Sequence, residues 1–445
     1  MSSPSRPPGR PSVPPSPHAV RAAWAVFVVF VVAGVGMSTW ASRIPAVRDG
    51  LGFSESEMGV LLLTGAIGSL VALPTSGLIA SRIGAAATCV SFAGLSAAGF
   101  AVATLAVGAD QPMLVRVGLF VGGMGVGVWD AAMNLEGAVV EQRLGRSVMP
   151  RFHAGFSLGT VAGAGIGALA AHAGLSLPAH VITVMLADLA VVVVCVRFFE
   201  PTPHGAAAGE GSVDASAHAA AHAAADTSAD PATAVETDHG TAHSVRETLA
   251  TWRESRTLLV GLVVLAAALT EGAANDWVSL AVVDGFGTGN AAGAVGLAVF
   301  LCAMTLTRLA GTALIDRLGR VTVLRLSGAA ALVGVTVFAL VPVLWVALVG
   351  VAIWGAGAAL GFPLGMSAAA DDPRRAALRV SVVSTVGYSA FFVGPALIGF
   401  LAEHVGYRDA LLVLALPVAV GLLVAGAARP LVPAGDPGPT RTLDG

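Results

Sequence analysis

Long apolar runs dominate this chain and limit the folds that are open to it. A helix needs about 18 to 20 apolar residues to cross about 30 Å of hydrocarbon, and runs of that length recur along the whole sequence. Only 11% of the residues are charged, against about 25% in a soluble protein. The strands of a membrane barrel would instead alternate over about ten residues. The chain is therefore predicted to be an all-α integral membrane protein.

Twelve transmembrane helices are predicted, in two six-helix bundles separated by a polar stretch. The predicted spans are 22–41, 58–80, 85–107, 112–140, 153–172, 177–196, 257–282, 291–315, 321–341, 343–368, 380–401 and 410–428. The resulting domains are a disordered tail (1–20), an N-terminal bundle (21–198), a flexible linker (199–256), a C-terminal bundle (257–429) and a second tail (430–445). The tails and linker are too polar to bury a core.

The two sets of six spans form an internal repeat. Sliding the second half back by 235 positions aligns identical residues in different helices. The aligned pairs are Arg82 with Arg317, Gly84 with Gly319, Gly122 with Gly357, and Gly159 with Gly394. An even number of crossings separates the copies, so the repeat is predicted to be parallel, about a pseudo-two-fold axis along the membrane normal.

Loop arginines predict the orientation. With a cytoplasmic N-terminus, most of them lie inside, and only Arg43, Arg48 and Arg408 lie outside. The positive-inside rule therefore places both termini and the linker in the cytoplasm.

An acid interrupts the fourth apolar run. Asp130 and Asn134 are four residues apart and share a helix face. A carboxylate inside a span costs several kcal/mol unless it faces protein or water, and burial favours its neutral form. Asp130 is predicted to bind a coupling proton; a permanently paired structural acid is the alternative. Asn134 would contact substrate or another helix, and Trp129 would either stack on a ligand or simply pack.

The seventh run repeats this spacing with Glu271 and Asn275. Glu271 is a second candidate for proton binding, and Asn275 for substrate binding. Their neighbour Asp276 lies at nearly the same repeat position as Arg43. These two residues are predicted to meet as an outer gate, with snorkelling of their side chains to the headgroups as the alternative.

Two short turns carry a family resemblance. GLIASRIGA (77–85) and LIDRLGR (314–320) resemble the loop signature Gly-x-x-x-Asp-Arg-x-Gly-Arg of the major facilitator superfamily. The second turn keeps Asp316 and Arg317, whereas the first keeps Arg82 but has Ser81 in the acid's place. These charges could latch the two halves in one state by binding helix ends and acids. Alternatively, they only set the topology.

A narrower resemblance comes from WASRIP (40–45), the stretch 129–159 and EGAANDW (271–277). Together they look like a poorly characterised branch of bacterial inner-membrane facilitators, which implies a location in the inner (plasma) membrane. The segment D-A-A-M-N is similar to the E-x-x-x-N of fucose/proton symporters. That likeness implies coupling at Asp130 with Asn134 beside it. Trp40, which opens WASRIP, is a further substrate-binding candidate.

Several functional classes find no support in the sequence. The net charge of -3 and the absence of a basic patch give no reason to expect nucleic acid as a partner. Without lysine there is no Walker motif, and no enzyme, metal or cofactor site is recognisable. We therefore predict a monomeric secondary transporter in the lipid bilayer, with protons and a small polar solute as its ligands, working by symport. The alternatives are a proton-coupled drug or metabolite efflux antiporter and a membrane sensor that transports nothing.

Overall fold

The computed structural model describes residues 16–145, 148–199, 250–372 and 375–431, almost all of them in helices. Most of the two predicted tails and of the predicted linker lies outside these residues. The first helix begins inside the predicted tail, at Pro17, because Ser16 caps it: the Ser16 side chain accepts a hydrogen bond from the Ala19 amide at 3.1 Å. Proline is well tolerated at this first helical position.

The first half of the chain, called here the N bundle (residues 16–199), contains six long helical segments and one short surface helix. Its helices are α1 (Pro17–Ala41), α2 (Ile44–Leu51), α3 (Glu55–Ala72), α4 (Ser76–Gly108), α5 (Pro112–Leu144), α6 (Met149–His172) and α7 (Leu177–Cys195). The short helix α2 was not predicted. A capping box between Ser54 and Glu57 starts α3 directly after it.

The second half, the C bundle (residues 250–431), has more interrupted helices. They are α8 (Ser255–Phe286), α9 (Asn290–Leu318), α10 (Arg320–Leu340), α11 (Leu344–Ala358), α12 (Gly361–Ala369), α13 (Ala376–Tyr388), α14 (Ala390–Val405), α15 (Tyr407–Ala410) and α16 (Ala415–Val424). Two predicted spans are broken in their middle, one between α11 and α12 and the other at Ser389. Broken membrane helices expose backbone groups that a cavity or a side chain must satisfy.

Within the described residues, eleven continuous segments are long and apolar enough to cross a membrane. One of them, Glu55–Gly108, has 54 residues, which as a single helix would be about 81 Å long. It is not one helix, because Gly84 has φ 84° and ψ 156° and reverses the chain. Counting this segment as two spans agrees with the twelve predicted helices.

The repeat predicted from the sequence is visible in the backbone. Gly319, 235 residues after Gly84, has φ 77° and ψ 153°, nearly the same conformation. Only glycine occupies this region of backbone space without strain. The two halves therefore make the same turn between equivalent helices.

Two helix pairs make the most extensive contacts between the bundles: α6 packs on α9, and α3 packs on α14. At the second crossing, a Cβ added to Gly59 would lie 2.6 Å from the carbonyl oxygen of Pro395. A Cβ added to Gly399 would lie 2.7 Å from the carbonyl oxygen of Glu55. The missing side chains let these two backbones touch, near the end of the molecule that carries α2. We call this end the Arg48 end, and the opposite end, with the Gly84 and Gly319 turns, the Arg317 end.

Candidate functional site

The predicted pair on α5 is formed locally. Asn134 Nδ2 donates to the backbone oxygen of Asp130 at 2.9 Å and lies 3.4 Å from its carboxylate oxygen Oδ1. Asn134 is buried, and its own Oδ1 has no hydrogen-bond partner among the described residues. Asp130 is half-buried. The face therefore offers one carboxylate and one unpaired amide oxygen.

The Asp130 carboxylate lies close enough to side chains of both bundles for its charge to act on them. Tyr388, at the end of α13, lies within electrostatic range of it, as does Cys89 on α4. The Tyr388 hydroxyl is buried and has no hydrogen-bond partner in the described part of the chain. Buried hydroxyls are normally paired, so an unpaired one beside a carboxylate indicates a position for a ligand.

Further hydroxyl groups stand on the same face of α13 as Tyr388. Ser381, Thr385 and Ser389 follow one another at intervals of four residues, and all three are exposed. Thr385 donates to the Ser381 carbonyl at 2.8 Å, and Ser389 donates to the Val386 carbonyl at 2.6 Å. Their oxygens remain able to accept hydrogen bonds. Because Tyr388 is near Asp130, this hydroxyl face is directed toward the N bundle.

Glu271 on α8 is held by an arginine. Arg308 on α9 places NH2 3.0 Å from Glu271 Oε2, and its Nε donates to the backbone oxygen of Ala359 at 3.2 Å. That oxygen is free because a continuous helix would bond it to the amide of residue 363, and Pro363 has no N–H. The break between α11 and α12 thus supplies an acceptor that positions Arg308.

Asn275 repeats the arrangement of Asn134: its Nδ2 donates to the Glu271 carbonyl at 3.1 Å. Asp276 is half-buried, as are Glu271 and Asn275, whereas the following turn of α8 is fully buried. A face with two acids would be expensive in lipid. This side of α8 therefore faces the interior of the protein.

The two predicted tryptophans lie in packed surroundings. Trp129 is buried in the N-bundle core with Met133 and Phe152, although its Nε1 has no hydrogen-bond partner among described atoms. Trp40 is half-buried and packs on Phe100, with ring centroids 5.3 Å apart. Packing accounts for both side chains in this arrangement of the bundles, and their roles in substrate binding stay predictions.

The predicted contact between Arg43 and Asp276 is absent from the described structure. Arg43 NH2 donates to the Leu175 carbonyl at 2.8 Å, and its other nitrogens are buried without a partner there. The ion pair that joins the bundles at this end is instead Arg48 of α2 with Asp284 of α8. Arg43 is held inside the N bundle because the loop before α7 offers it a carbonyl.

At the Arg317 end, the predicted latch residues Arg82, Asp316 and Arg317 are all exposed and form no ion pair within the described ranges. The neighbouring Arg320 makes the contact between helices, with its NH1 2.8 Å from Asp371 Oδ1. Arg256 binds the other oxygen of Asp371 at 2.8 Å. The gating roles of the three exposed residues are not realised as contacts in this conformation.

Sequence reasoning missed Tyr388 and both helix breaks. The chain has only two tyrosines, so a tyrosine inside an apolar run was a usable signal. The segment WGAGAALGFP, which contains the break before Pro363, carried a second one. Glycine- or proline-interrupted spans are typical of binding sites in membrane proteins with internal repeats.

Comparison with known proteins identifies related chains. The family model of the Major Facilitator Superfamily matches residues 25–378 and 260–444. An uncharacterized transporter of Sinorhizobium fredii is 32% identical over 377 residues, covering 84% of this chain and 89% of the relative. An uncharacterized MFS-type transporter of Yersinia pestis is 27% identical over 374 residues, covering 84% of this chain and 86% of that one.

Solved structures share the fold at low sequence identity. The transporter FucP in its outward conformation has a TM-score of 0.60 at 15% identity, over 92% of this chain and 99% of FucP. A structure of a FucP variant is described as the E. coli fucose:proton symporter. The nucleoside transporter NupG has a TM-score of 0.66 at 14% identity, over 93% of this chain and 98% of NupG.

Proposed function

The chain belongs to the Major Facilitator Superfamily of membrane transporters, and from that premise we propose that it is a proton-coupled symporter of a small polar solute. The two bundles would rock about a site between them and expose it to each side in turn. Asp130 carries the proton, and the α8 and α13 faces opposite it bind the solute.

The observation that supports this proposal most directly is the environment of Asp130. Its carboxylate is half-buried on α5, and the unpaired hydroxyl of Tyr388 from the other bundle lies within electrostatic range of it. A carboxylate between two moving bundles can take a proton on one side of the membrane and release it on the other. Proton relays in membranes are built from such acids.

The groups around this acid also favour a polar, hydroxylated solute. Asn134 Oδ1 and the Tyr388 hydroxyl have no hydrogen-bond partner in the described ranges, and the hydroxyl face of α13 offers further acceptors. Glu271 is neutralised by Arg308. A neutral molecule with several hydroxyl groups, such as a sugar or a nucleoside, would satisfy these groups without bringing an uncompensated charge.

The arginine distribution assigns the Arg48 end to the outside and the Arg317 end to the cytoplasm. At the Arg48 end the bundles are joined by Arg48 with Asp284 and by the Gly59 crossing. At the other end the Arg82 and Arg317 side chains are exposed. These features support a conformation that is closed to the outside and open to the cytoplasm, in the inner membrane of a bacterium.

Uptake into proteoliposomes tests the proposal, using a panel of sugars, nucleosides and other small metabolites with and without a pH gradient. We expect the gradient to drive accumulation of one class of solute. The Asp130→Asn variant should still exchange solute across the membrane but lose the gradient-driven accumulation. Asp110→Asn, which changes an exposed acid, serves as the matched control and should behave as wild type.

Other outcomes would contradict symport in distinct ways. Solute leaving against its gradient as protons enter would assign the chain to efflux antiport. Solute binding without any flux would indicate a sensor. Full gradient-driven accumulation in Asp130→Asn would remove this acid from the coupling step.

A further inference from the structure

Helix α7 carries two titratable residues that the proposed transport site does not use. His180 and Asp188 lie in an otherwise apolar helix and are only 4% and 6% exposed. They are separated by eight residues, about 12 Å along the helix. An acid buried inside a membrane helix is costly unless it has a function, and this argument applies to Asp188 as it does to Asp130.

Asp188 faces α1, which runs antiparallel to α7. A Cβ added to Gly36 would lie 3.0 Å from Asp188 Oδ2, so the carboxylate occupies the space that a side chain at Gly36 would need. One turn further along α1 is Thr39, which is fully buried. The polar residues on this side of α1 end at Arg43, which is 5% exposed and lies at the Arg48 end.

His180 lies near Arg43. A Cβ added to Gly167 on α6 would lie within 3.8 Å of both His180 Cε1 and Ser42 Oγ, so the three helices meet there. Arg43 and His180 are close enough for their charges to interact. Buried polar side chains of α1 and α7 thus occur at intervals between the Arg48 end and the middle of the N bundle, and they are called here the polar strip.

Six polar atoms of this strip are buried and have no hydrogen-bond partner among the described residues. They are Thr39 Oγ1, Arg43 Nε and NH1, both ring nitrogens of His180, and Asp188 Oδ2. Each such atom costs about 1–3 kcal/mol if it stays unsatisfied, and a charged one costs more. So many adjacent unpaired groups do not contribute to stability, which indicates that they serve another purpose.

Few other charges can act on Asp188. The titratable side chains on helices that contact α7 are His18 and Arg21 on α1, Arg82 and Cys89 on α4, Arg151, His153 and His172 on α6, Cys195 on α7 itself, and Arg197 in the helical turn that follows it. Arg43 is the cation on the α1–α7 contact, seven residues from Gly36, or about 10 Å along the helix.

We propose that Asp188 is a second proton-binding site, inside the N bundle, which exchanges its proton with the Arg48 end along Thr39, His180 and Arg43. The carboxylate gains a proton at Oδ2 and later gives it back, and no other bond is made or broken. His180 relays the proton by accepting it on one ring nitrogen and releasing it from the other. Arg43 remains charged throughout. The site is separate from Asp130, which is on α5.

Infrared spectroscopy of the reconstituted protein tests this without requiring transport. The carboxyl C=O band of protonated acids is followed while the pH is raised, in wild type, Asp188→Asn and Asp188→Glu. We expect wild type to lose a band that Asp188→Asn lacks at every pH and that Asp188→Glu shows at a shifted frequency. Met185→Leu is the matched control, because Met185 also contacts the Gly36 position but does not titrate. It should keep the wild-type band.

A pH jump tests the route. In His180→Phe the Asp188 band should be retained but should respond more slowly than in wild type. The proposal would be overturned if the band were unchanged in Asp188→Asn, or if the Asp188 band never responded to pH. If the Asp188 band of His180→Phe responded to the pH jump as fast as that of wild type, His180 would not be part of the route. A contribution of Asp188 to proton-coupled transport rests on the proposed symport, but proton binding by Asp188 does not. If transport proves independent of protons while Asp188 titrates, the symport proposal fails and the proton-binding site stands.

Discussion

Arg308 NH2 lies 3.0 Å from Glu271 Oε2, joining α8 to α9 inside the C bundle. Their side chains are 11% and 21% exposed, so this is a largely buried ion pair. Arg308 is held from its other side by the carbonyl of Ala359. Glu271 is thus a neutralised acid in this conformation, in contrast to Asp130, which forms no ion pair among the described residues.

Removing one member of this pair should destabilise the protein. We expect Glu271→Gln and Arg308→Gln each to cost about 3 kcal/mol, because each leaves an uncompensated buried charge. The double variant should be more stable than either single one, since both charges are gone. Thermal unfolding in detergent, analysed as a double-mutant cycle, measures this coupling. Additive effects of the two substitutions would show that the pair does not interact.

The ion pair at the closed Arg48 end can be tested by exchanging the charges of Arg48 and Asp284. Arg48→Asp and Asp284→Arg should each reduce transport, because like charges then meet where the bundles join. The double variant should recover activity. Arg43→Asp with Asp276→Arg is the matched comparison and should show no recovery, because Arg43 binds Leu175 instead. Uptake in proteoliposomes measures both exchanges, and recovery in the second pair would contradict the arrangement described here.

The turn at Gly319 should not tolerate a side chain. Its φ of 77° with ψ of 153° lies in a region that is strained for every other residue. We expect Gly319→Ala to cost about 1–3 kcal/mol, measured as a lower midpoint of thermal unfolding. Gly165→Ala on α6 is the control: it has open space around its Cβ position and no positive φ, and should be neutral or slightly stabilising. A Gly319→Ala protein as stable as wild type would disprove the strain.

An ion-pair cluster at the start of α8 makes stability depend on pH. Burial opposes ionisation of Glu254, but hydrogen bonds from Arg379 at 2.9 Å and Thr257 at 2.7 Å, with the charge of Arg375, lower the pKa of its carboxyl overall. A lowered pKa means that this stabilisation is complete above about pH 4.3, the unfolded value, and is lost as the pH falls through the lower folded value.

Glu254→Gln should therefore be less stable than wild type at neutral pH, and the difference should shrink as the pH falls below about 4. Midpoints of thermal unfolding across acidic pH measure it. Glu403→Gln is the control for the general effect of low pH on stability, because Glu403 is an exposed residue near the end of α14. A constant gap between Glu254→Gln and wild type at every pH would contradict this account.

The architecture could be predicted because it follows from local and periodic properties. Span length, the identical offset of Gly84 and Gly319, and the Asp130–Asn134 spacing are all properties of the sequence. They determined the twelve helices, the parallel repeat and the hydrogen bond within α5. The presence of an acid inside an apolar run also identified Asp130 and Glu271 as unusual, although Asp188 satisfied the same criterion and was overlooked.

Tertiary structure alone decided which side chains meet. Arg43 and Asp276 were predicted to meet because they lie at nearly the same repeat position. The Arg43 guanidinium instead donates to the Leu175 carbonyl, and Arg48 with Asp284 joins the bundles. Glu271 pairs with Arg308, which also donates to the Ala359 carbonyl that Pro363 leaves without a helical partner. Such partners depend on helix rotation and on breaks within helices, which are set by packing between distant segments and are not encoded in the spacing of either segment alone.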